Sequence, residues 1–493
     1  MKLRDRLNLI CFLCLGFIGG CVVAEFVPAG LPLFWLGLGL LVSLVLSWPN
    51  QRVRIGIIGV IGLIGGIGLW QTNFNRWNVN LPTGSAMQIT GHLATPLNDG
   101  LYNKQAVLTV TNIPSHPQIL AYFPQSATLN YGDEVKFSGK LSEITATSKF
   151  DGARYWRVRG AKYQTTITQF QTTSTNRGNP LTHYLYQFKD YIKSRNQIAL
   201  PNNESGLLFG LLFGGSGLLP KAITDQFRTL GISHLTAVSG YNLTIISLWP
   251  IVLAGLVHKK WAIGFSAALV LLFVIFTGAP SSIVRAAVMA WVMLLGKLIG
   301  RAPHSLLLIC SVATIMAIIN PFAVKDDAGF ILSFLAFFGL VEIGPMLYPK
   351  TKWLRLDSLR LIFSQTVGAQ IATLPYLLGA FGQLTIISPL SNLVILPLIP
   401  LMMLVGLAGV ILMAIPLKIT LITSSILYYP LHGFLWVIAL GSQIPYASFT
   451  WQKGGLFPWY LAILIFIWWS LSKRQMFRKS VGAVHEPPAG NSC

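Results

Sequence analysis

Between Arg76 and Arg228 the chain carries 15 Lys/Arg against 8 Asp/Glu, with Tyr122, Phe123, Tyr131, Phe150, Tyr155, Trp156 and Tyr163 among them. Basic side chains bind phosphates with release of condensed counterions, and aromatic faces stack on unpaired bases. The mixture therefore fits a polyanion such as single-stranded nucleic acid, with Lys104, Lys136, Lys140, Arg154, Trp156, Arg157, Arg159 and Lys162 as candidate contacts. On residue content alone the balance lies with an ordinary small-domain core whose surface is drawn to anionic lipid headgroups.

A second set of polar residues lies inside apolar sequence. In GISHLTAVSGYNLTII (231–246), Ser233, Thr236, Ser239 and Asn242 recur every third residue, with His234 beside them. On a helix they form one drifting stripe, which either lines water or bonds to neighbouring helices. Arg285 sits in TGAPSSIVRAAVMA. A charge at the centre of a bilayer costs at least about 2.5–3.5 kcal/mol, so it faces a conducted anion, pairs or caps, or snorkels outward. Thr366, Gln370 and Thr373 share a face that Pro375 is expected to interrupt. Ser388, Ser391 and Asn392 follow among Pro389, Pro397 and Pro400. Broken spans belong where protein or water surrounds the freed carbonyls. Glu342, Asp326 and Asp327 need no special role.

Enzyme signatures are missing. The eight histidines never form HxxxH or HExxH, and there is neither a GxxxxGK[ST] loop nor a GxSxG elbow. No metal, cofactor or catalytic residue is expected, and any driving force comes from another protein.

The elements that must position these residues follow from composition. The 493 residues are 53% hydrophobic and only 10% charged, too few charges to cover a soluble surface of this size. Spans of roughly 20 apolar residues are expected at 8–27, 31–48, 53–70, 232–257, 262–278, 282–299, 305–319, 328–347, 361–380, 386–413, 418–440 and 456–472. Gly56, Gly59, Gly62, Gly65, Gly66 and Gly68 mark the third for close packing. The short glycine-rich stretch 205–219 reads as re-entrant or interfacial. Residues 87–95, 104–113, 117–123, 133–141 and 155–168 read as five short strands, and a small barrel of the OB type leads the candidates. Residues 183–200 read as an amphipathic helix with Leu185, Phe188, Ile192 and Ile198 on its apolar side. No cysteine lies between 22 and 309, so an exported domain there folds without an internal disulfide.

With the N-terminus in the cytoplasm and three crossings before the polar region, 18 Lys/Arg fall inside and only Lys325 and Lys453 in short outer loops. The positive-inside rule supports that orientation, with both termini cytoplasmic. The excess in the exported domain is left for another explanation.

GISHLTAVSGYNL (231–243), TGAPSSIVRAAVMA (277–290), NPFAVKDDAGFILSFLAFFGL (320–340) and GAQIATLPYLLGAFGQLTIISPLSNLVILPLIPL (368–401), with FDGARYWRVRGA (150–161) before them, resemble the ComEC-type competence permeases. The resemblance implies a single-stranded DNA conduit in the bacterial inner membrane: an external OB-like domain meets DNA, and a multi-helix competence domain conducts it. It also implies a periplasmic DNA receptor, a cytoplasmic motor or DNA-binding proteins, and allows a homo-oligomer. Larger relatives end in a metallo-β-lactamase-like domain. This sequence has no HxHxDH motif, so strand degradation is expected of a separate nuclease. Tyr241–Asn242 stand where the family pattern suggests Leu-His, and a role for that His does not carry over.

The expected architecture is a polytopic α-helical membrane protein of about 12 spans with an inserted all-β domain. It comprises helices 1–74, the barrel 75–180, a linker 181–230, the channel domain 231–472 and a basic tail 473–493. The channel lining is expected from Ser233, His234, Thr236, Ser239, Asn242, Arg285, Thr366, Gln370, Thr373, Ser388 and Asn392. Rival readings are a transporter or flippase for another anionic solute or lipid, and a membrane-anchored adaptor.

Overall fold

The computed structural model describes residues 3–27, 51–99, 103–146, 151–175, 177–214, 218–236, 240, 243, 259–299, 305–414 and 420–450. The expected spans 31–48 and 456–472, most of 232–257, and the tail 473–493 lie outside the described residues. The chain folds as two compact units. One holds Met1–Asp225, Ser233–Ser333 and Leu398–Ala439, and the other Gln226–Ile232, Phe334–Pro397 and Leu440–Cys493. Among the described residues six helices are long and apolar enough to cross a bilayer, and three shorter helices are strongly apolar. This is a polytopic membrane protein.

In the first unit, α1 (Leu3–Val23) packs along α2 (Gln51–Trp77). Two small-xxx-small pairs face each other, Gly16 with Gly20 and Gly62 with Gly66. A methyl at Gly62 would stand 2.2 Å from the Leu13 carbonyl oxygen, and one at Gly20 2.0 Å from that of Leu63. The backbones therefore touch, as small residues allow in lipid. The expected glycine contact is real but narrower than the sequence stripe, because Gly56 has open space around it.

The polar domain is an eight-stranded sheet: β1 (Ala86–Leu93), β2 (Asn98–Asp99), β3 (Lys104–Val110), β4 (Gln118–Phe123), β5 (Glu134–Lys140), β6 (Ser142–Glu143), then helix α3 (Gly152–Arg157), β7 (Ala161–Thr166) and β8 (Phe170–Ser174). The strand order is β6-β7-β4-β3-β1-β5-β8, with β2 beside β3. The β4–β7 pair is parallel and every other pair antiparallel. Ile89, Leu108, Ile119, Phe123, Val135, Phe137 and Ile167 close its core. On β5, Val135 and Phe137 point in while Lys136, Ser138 and Lys140 point out, the alternation a half-buried strand requires.

Part of the expected strand 155–168 is instead α3. Asp151 caps the helix by accepting from the Arg154 amide at 3.1 Å, and Gly160 (φ 84°) turns the chain into β7. A methyl at Gly160 would lie 2.3 Å from Gln118 Oε1, so the turn requires glycine.

Helices α4 (Pro180–Ala199) and α5 (Asn202–Phe213) follow. α4 buries His183, Ile192 and Asn196, while Phe188 and Ile198 are exposed. Only Ile192 of the expected apolar side is thus fully covered. The stretch read as re-entrant contributes the regular, buried helix α5, because its glycines let neighbours approach: Gly206 meets the Leu218 backbone.

After α6 (Lys221–Thr229) come α7 (Lys259–Thr277), α8 (Ser281–Ile299), α9 (Ser305–Ile319), the single turn α10 (Ala323–Asp326) and α11 (Ala328–Phe338). A π turn at Gly339–Ile343 leads into α12 (Gly344–Leu347). In the second unit this turn crosses α13 (Asp357–Phe381) where Gly339 and Gly368 leave no room for a side chain. Contrary to expectation, α13 continues through Pro375. Proline removes one donor, and the packing of Ala372 and Tyr376 on both sides keeps the other turns in place. The chain does break further on, into α14 (Ser388–Ile395), a 3-10 turn at Leu396–Leu398, and α15 (Ile399–Ala414), followed by α16 (Thr420–Ser442).

Gly62→Leu forces a side chain into the Leu13 backbone, a cost of at least about 1–3 kcal/mol. Its thermal midpoint in detergent and its level in membranes are expected to fall, while Gly56→Leu leaves both near wild type.

Candidate functional site

The cationic residues of the sheet domain sort into two groups. Lys136 and Lys140 stand on the outer face of β5, opposite Thr90 and Ala86 of β1, with Gln171 of β8 beside Lys136. Both lysines are exposed, and no ion pair holds either among the described residues. Lys104 is on another strand, where its Nζ donates to the Ala127 carbonyl at 2.8 Å.

The second group surrounds α3. The Arg157 guanidinium donates from Nε to Asp326 Oδ2 at 2.8 Å. The Asp326 side chain is fully buried and that of Arg157 is 9% exposed. The guanidinium also lies over the rings of Trp77 (5.8 Å) and Phe322 (5.6 Å), a favourable site for a cation. Arg154 Nε stands 3.2 Å from Asp151 and 3.9 Å from Asp326 Oδ1. Glu25, just past α1, accepts from Lys325 and lies 3.9 Å from Arg157. Burial pushes the Asp326 carboxyl above the usual carboxylate range, and Arg157 partly offsets this. Lys162 Nζ donates to Asn78 Oδ1 at 2.9 Å and Asn80 Oδ1 at 3.1 Å, and Arg159 stacks 3.7 Å over Tyr155. Trp156 meets Tyr155 edge-on at 5.2 Å. The structure therefore brings Arg154, Trp156, Arg157, Arg159 and Lys162 together, but commits Arg157 to fastening the sheet domain to the ends of α1, α2 and α9.

The intramembrane residues also form clusters. In the first unit Arg285 Nη1 donates to the Ser333 carbonyl of α11 at 2.6 Å. A methyl at Gly240 would stand 3.1 Å from Ala286 Cβ and 3.8 Å from Arg285 Nη2, so the 231–243 segment and Arg285 do meet. Ser233 and His234 are exposed, and buried Thr236 donates to the Ser233 carbonyl. Ser239 and Asn242 lie outside the described residues. In the second unit Gln370 Nε2 donates to the Thr385 carbonyl at 2.6 Å, and Thr373 bonds back to Ala369 at 2.9 Å. Thr366 and Asn392 are buried, and Asn392 Oδ1 accepts no hydrogen bond. Ser388 packs against Gly231.

Two further carboxylates carry no role in the sequence reading. Glu204, 4% exposed in the first turn of α5, lies 2.8 Å from His432 Nδ1 of α16, with Tyr428 stacked on that imidazole. Glu342 is buried in the π turn, an irregularity that recurs at functional sites. Glu342 is a lone acid in an otherwise apolar window, and that is the signal that could have found it; Glu204, beside Asn202, Asn203 and Ser205, carries no such signal.

A family model described as "Competence protein" matches residues 211–476, more than half of the chain and all of its intramembrane polar clusters from α6 onward. The chain belongs to the competence protein family. It is 27% identical over 291 residues to ComE operon protein 3 of Bacillus subtilis (strain 168), and the match covers 58% of this chain and 36% of that protein. The chain thus spans little more than a third of that relative's length. No solved structure matches it.

The Arg157–Asp326 pair is the feature most open to dissection. Arg157→Ala and Asp326→Ala are each expected to cost about 3–5 kcal/mol by stranding a buried charge. Arg157→Met/Asp326→Leu is expected to cost clearly less than the sum, read from unfolding midpoints of the four proteins in one detergent.

Proposed function

We propose that this protein conducts single-stranded DNA across the bacterial inner membrane during natural transformation. The observation that supports this most is the family match over 211–476, the segment that holds Arg285, Gln370, Asn392 and the broken span at Pro397. In this reading the sheet domain is extracytoplasmic and of the OB type. In such a barrel the first strand pairs with the second and fourth, and the third pairs in parallel with the fifth. Here β1 pairs with β3 and β5, and β4 runs parallel to β7.

About 12 spans and cytoplasmic termini complete the topology. Two placements support it: α1 and α2 run parallel, and the ends of α1, α2 and α9 meet the sheet domain on one side. DNA phosphates meet Lys136 and Lys140 on the outer face of β5, with Lys104 and Arg159 as further contacts. The strand then passes the expected lining residues Ser233, His234, Thr236, Ser239, Asn242, Arg285, Thr366, Gln370, Thr373, Ser388 and Asn392. A periplasmic receptor delivers the DNA, and a cytoplasmic motor draws it in.

With full-length protein in detergent, Lys136→Gln and Lys140→Gln are each expected to weaken oligonucleotide binding and to lower the salt slope by about one. An unchanged slope contradicts phosphate contact on this face. In cells, Arg285→Gln at normal membrane level is expected to reduce entry of labelled DNA into the cytoplasm; entry at the wild-type rate removes Arg285 from the path.

A further inference from the structure

Where the sheet domain meets the ends of α2 and α9 there is an open cleft of about 380 Å³. Arg76, Arg157, Lys162 and His116 line it, and none of its lining residues is acidic. Arg157 and Lys162 have carboxylate partners, but Arg76 forms no ion pair among the described residues. A net cationic cleft fits an anion with several oxygens, and phosphate meets that description.

The rim narrows the source of the phosphate. Ile319 borders the cleft and is 69% exposed, and Ile315 and Ile318 continue a bare apolar surface along α9 at 41% and 53%. A nucleic acid strand gains nothing from that surface, whereas an acyl chain covers it. The aromatic faces that bases would use are occupied: Phe322 lies edge-on to Trp70, and both Phe322 and Trp77 carry the Arg157 guanidinium. The cleft also sits at the ends of two apolar helices, the level at which headgroups lie.

We propose that this cleft binds the phosphate headgroup of an anionic phospholipid, with the acyl chain along Ile315 and Ile319. The site rests on α2 and α9 crossing the bilayer and is independent of DNA conduction. The lipid wedges the sheet domain against the spans beside the Arg157–Asp326 pair. Headgroup charge selects it, since a zwitterionic lipid offers the same phosphate with a cation attached.

The test is native mass spectrometry of the full-length protein in detergent doped with equal phosphatidylglycerol and phosphatidylcholine. Retention of phosphatidylglycerol above phosphatidylcholine is expected. Arg76→Gln and Lys162→Gln should each reduce it by about fivefold. Equal retention of both lipids, or retention unchanged in both variants, overturns the proposal. Displacement of the lipid by a single-stranded oligonucleotide overturns it in favour of the DNA path, and displacement by millimolar inorganic phosphate alone overturns the acyl-chain part. A protein that binds the lipid as described while moving no DNA fails only the function proposed above.

Discussion

Among the described residues, the buried ion pair of Arg157 and Asp326 fastens the sheet domain to the membrane helices. Asp326 is taken wholly out of water, and its carboxylate is tolerable there because Arg157 meets it directly and Arg154 and Lys325 lie close by. Removing two charges from water is expensive, and such a pair contributes more to geometry than to net stability unless its hydrogen bonds are good. Here the guanidinium also lies against the rings of Trp77 and Phe322, and those rings join Trp70 and Phe74 in one aromatic cluster. The arrangement therefore fixes where α3 sits, and with it the first turn of β7.

This anchoring divides labour among cations that look alike in sequence. Arg157 holds the domain in place, and Arg154 and Lys325 balance the local acids. Lys136 and Lys140, on the far side of the sheet core, keep their charge for solvent or ligand. Inside the apolar half the polar groups are distributed in the same way. Arg285 holds a backbone carbonyl of the neighbouring helix α11 and Gln370 that of Thr385 beyond the end of its own helix, whereas Asn392 keeps an acceptor oxygen unused.

Much of the fold is legible in the sequence because two periodicities are strong. Long apolar runs give the spans, and the alternation of EVKFSGK gives β5. The failures have local causes. YWRVRG alternates like a strand, yet the Asp151 cap and the Gly160 turn make its first part helical. Pro375 predicts a break that tertiary packing overrides. The site was less legible. Arg157 and Asp326 are 169 residues apart, and Glu204 and His432 are 228 apart, so no spacing rule links them. Only the threading of the helices brings them together, and a charge counted as a nucleic-acid contact becomes a structural one.

The account stands on the claim that DNA entry depends on a sheet domain clamped to the spans through Arg157 and Asp326. Entry of end-labelled DNA into the cytoplasm tests it most directly, measured for Arg157→Asp, Asp326→Arg and the two combined, at matched membrane abundance. Loss in each single exchange with recovery in the combined one is the expected result. Wild-type entry in either single exchange would contradict it.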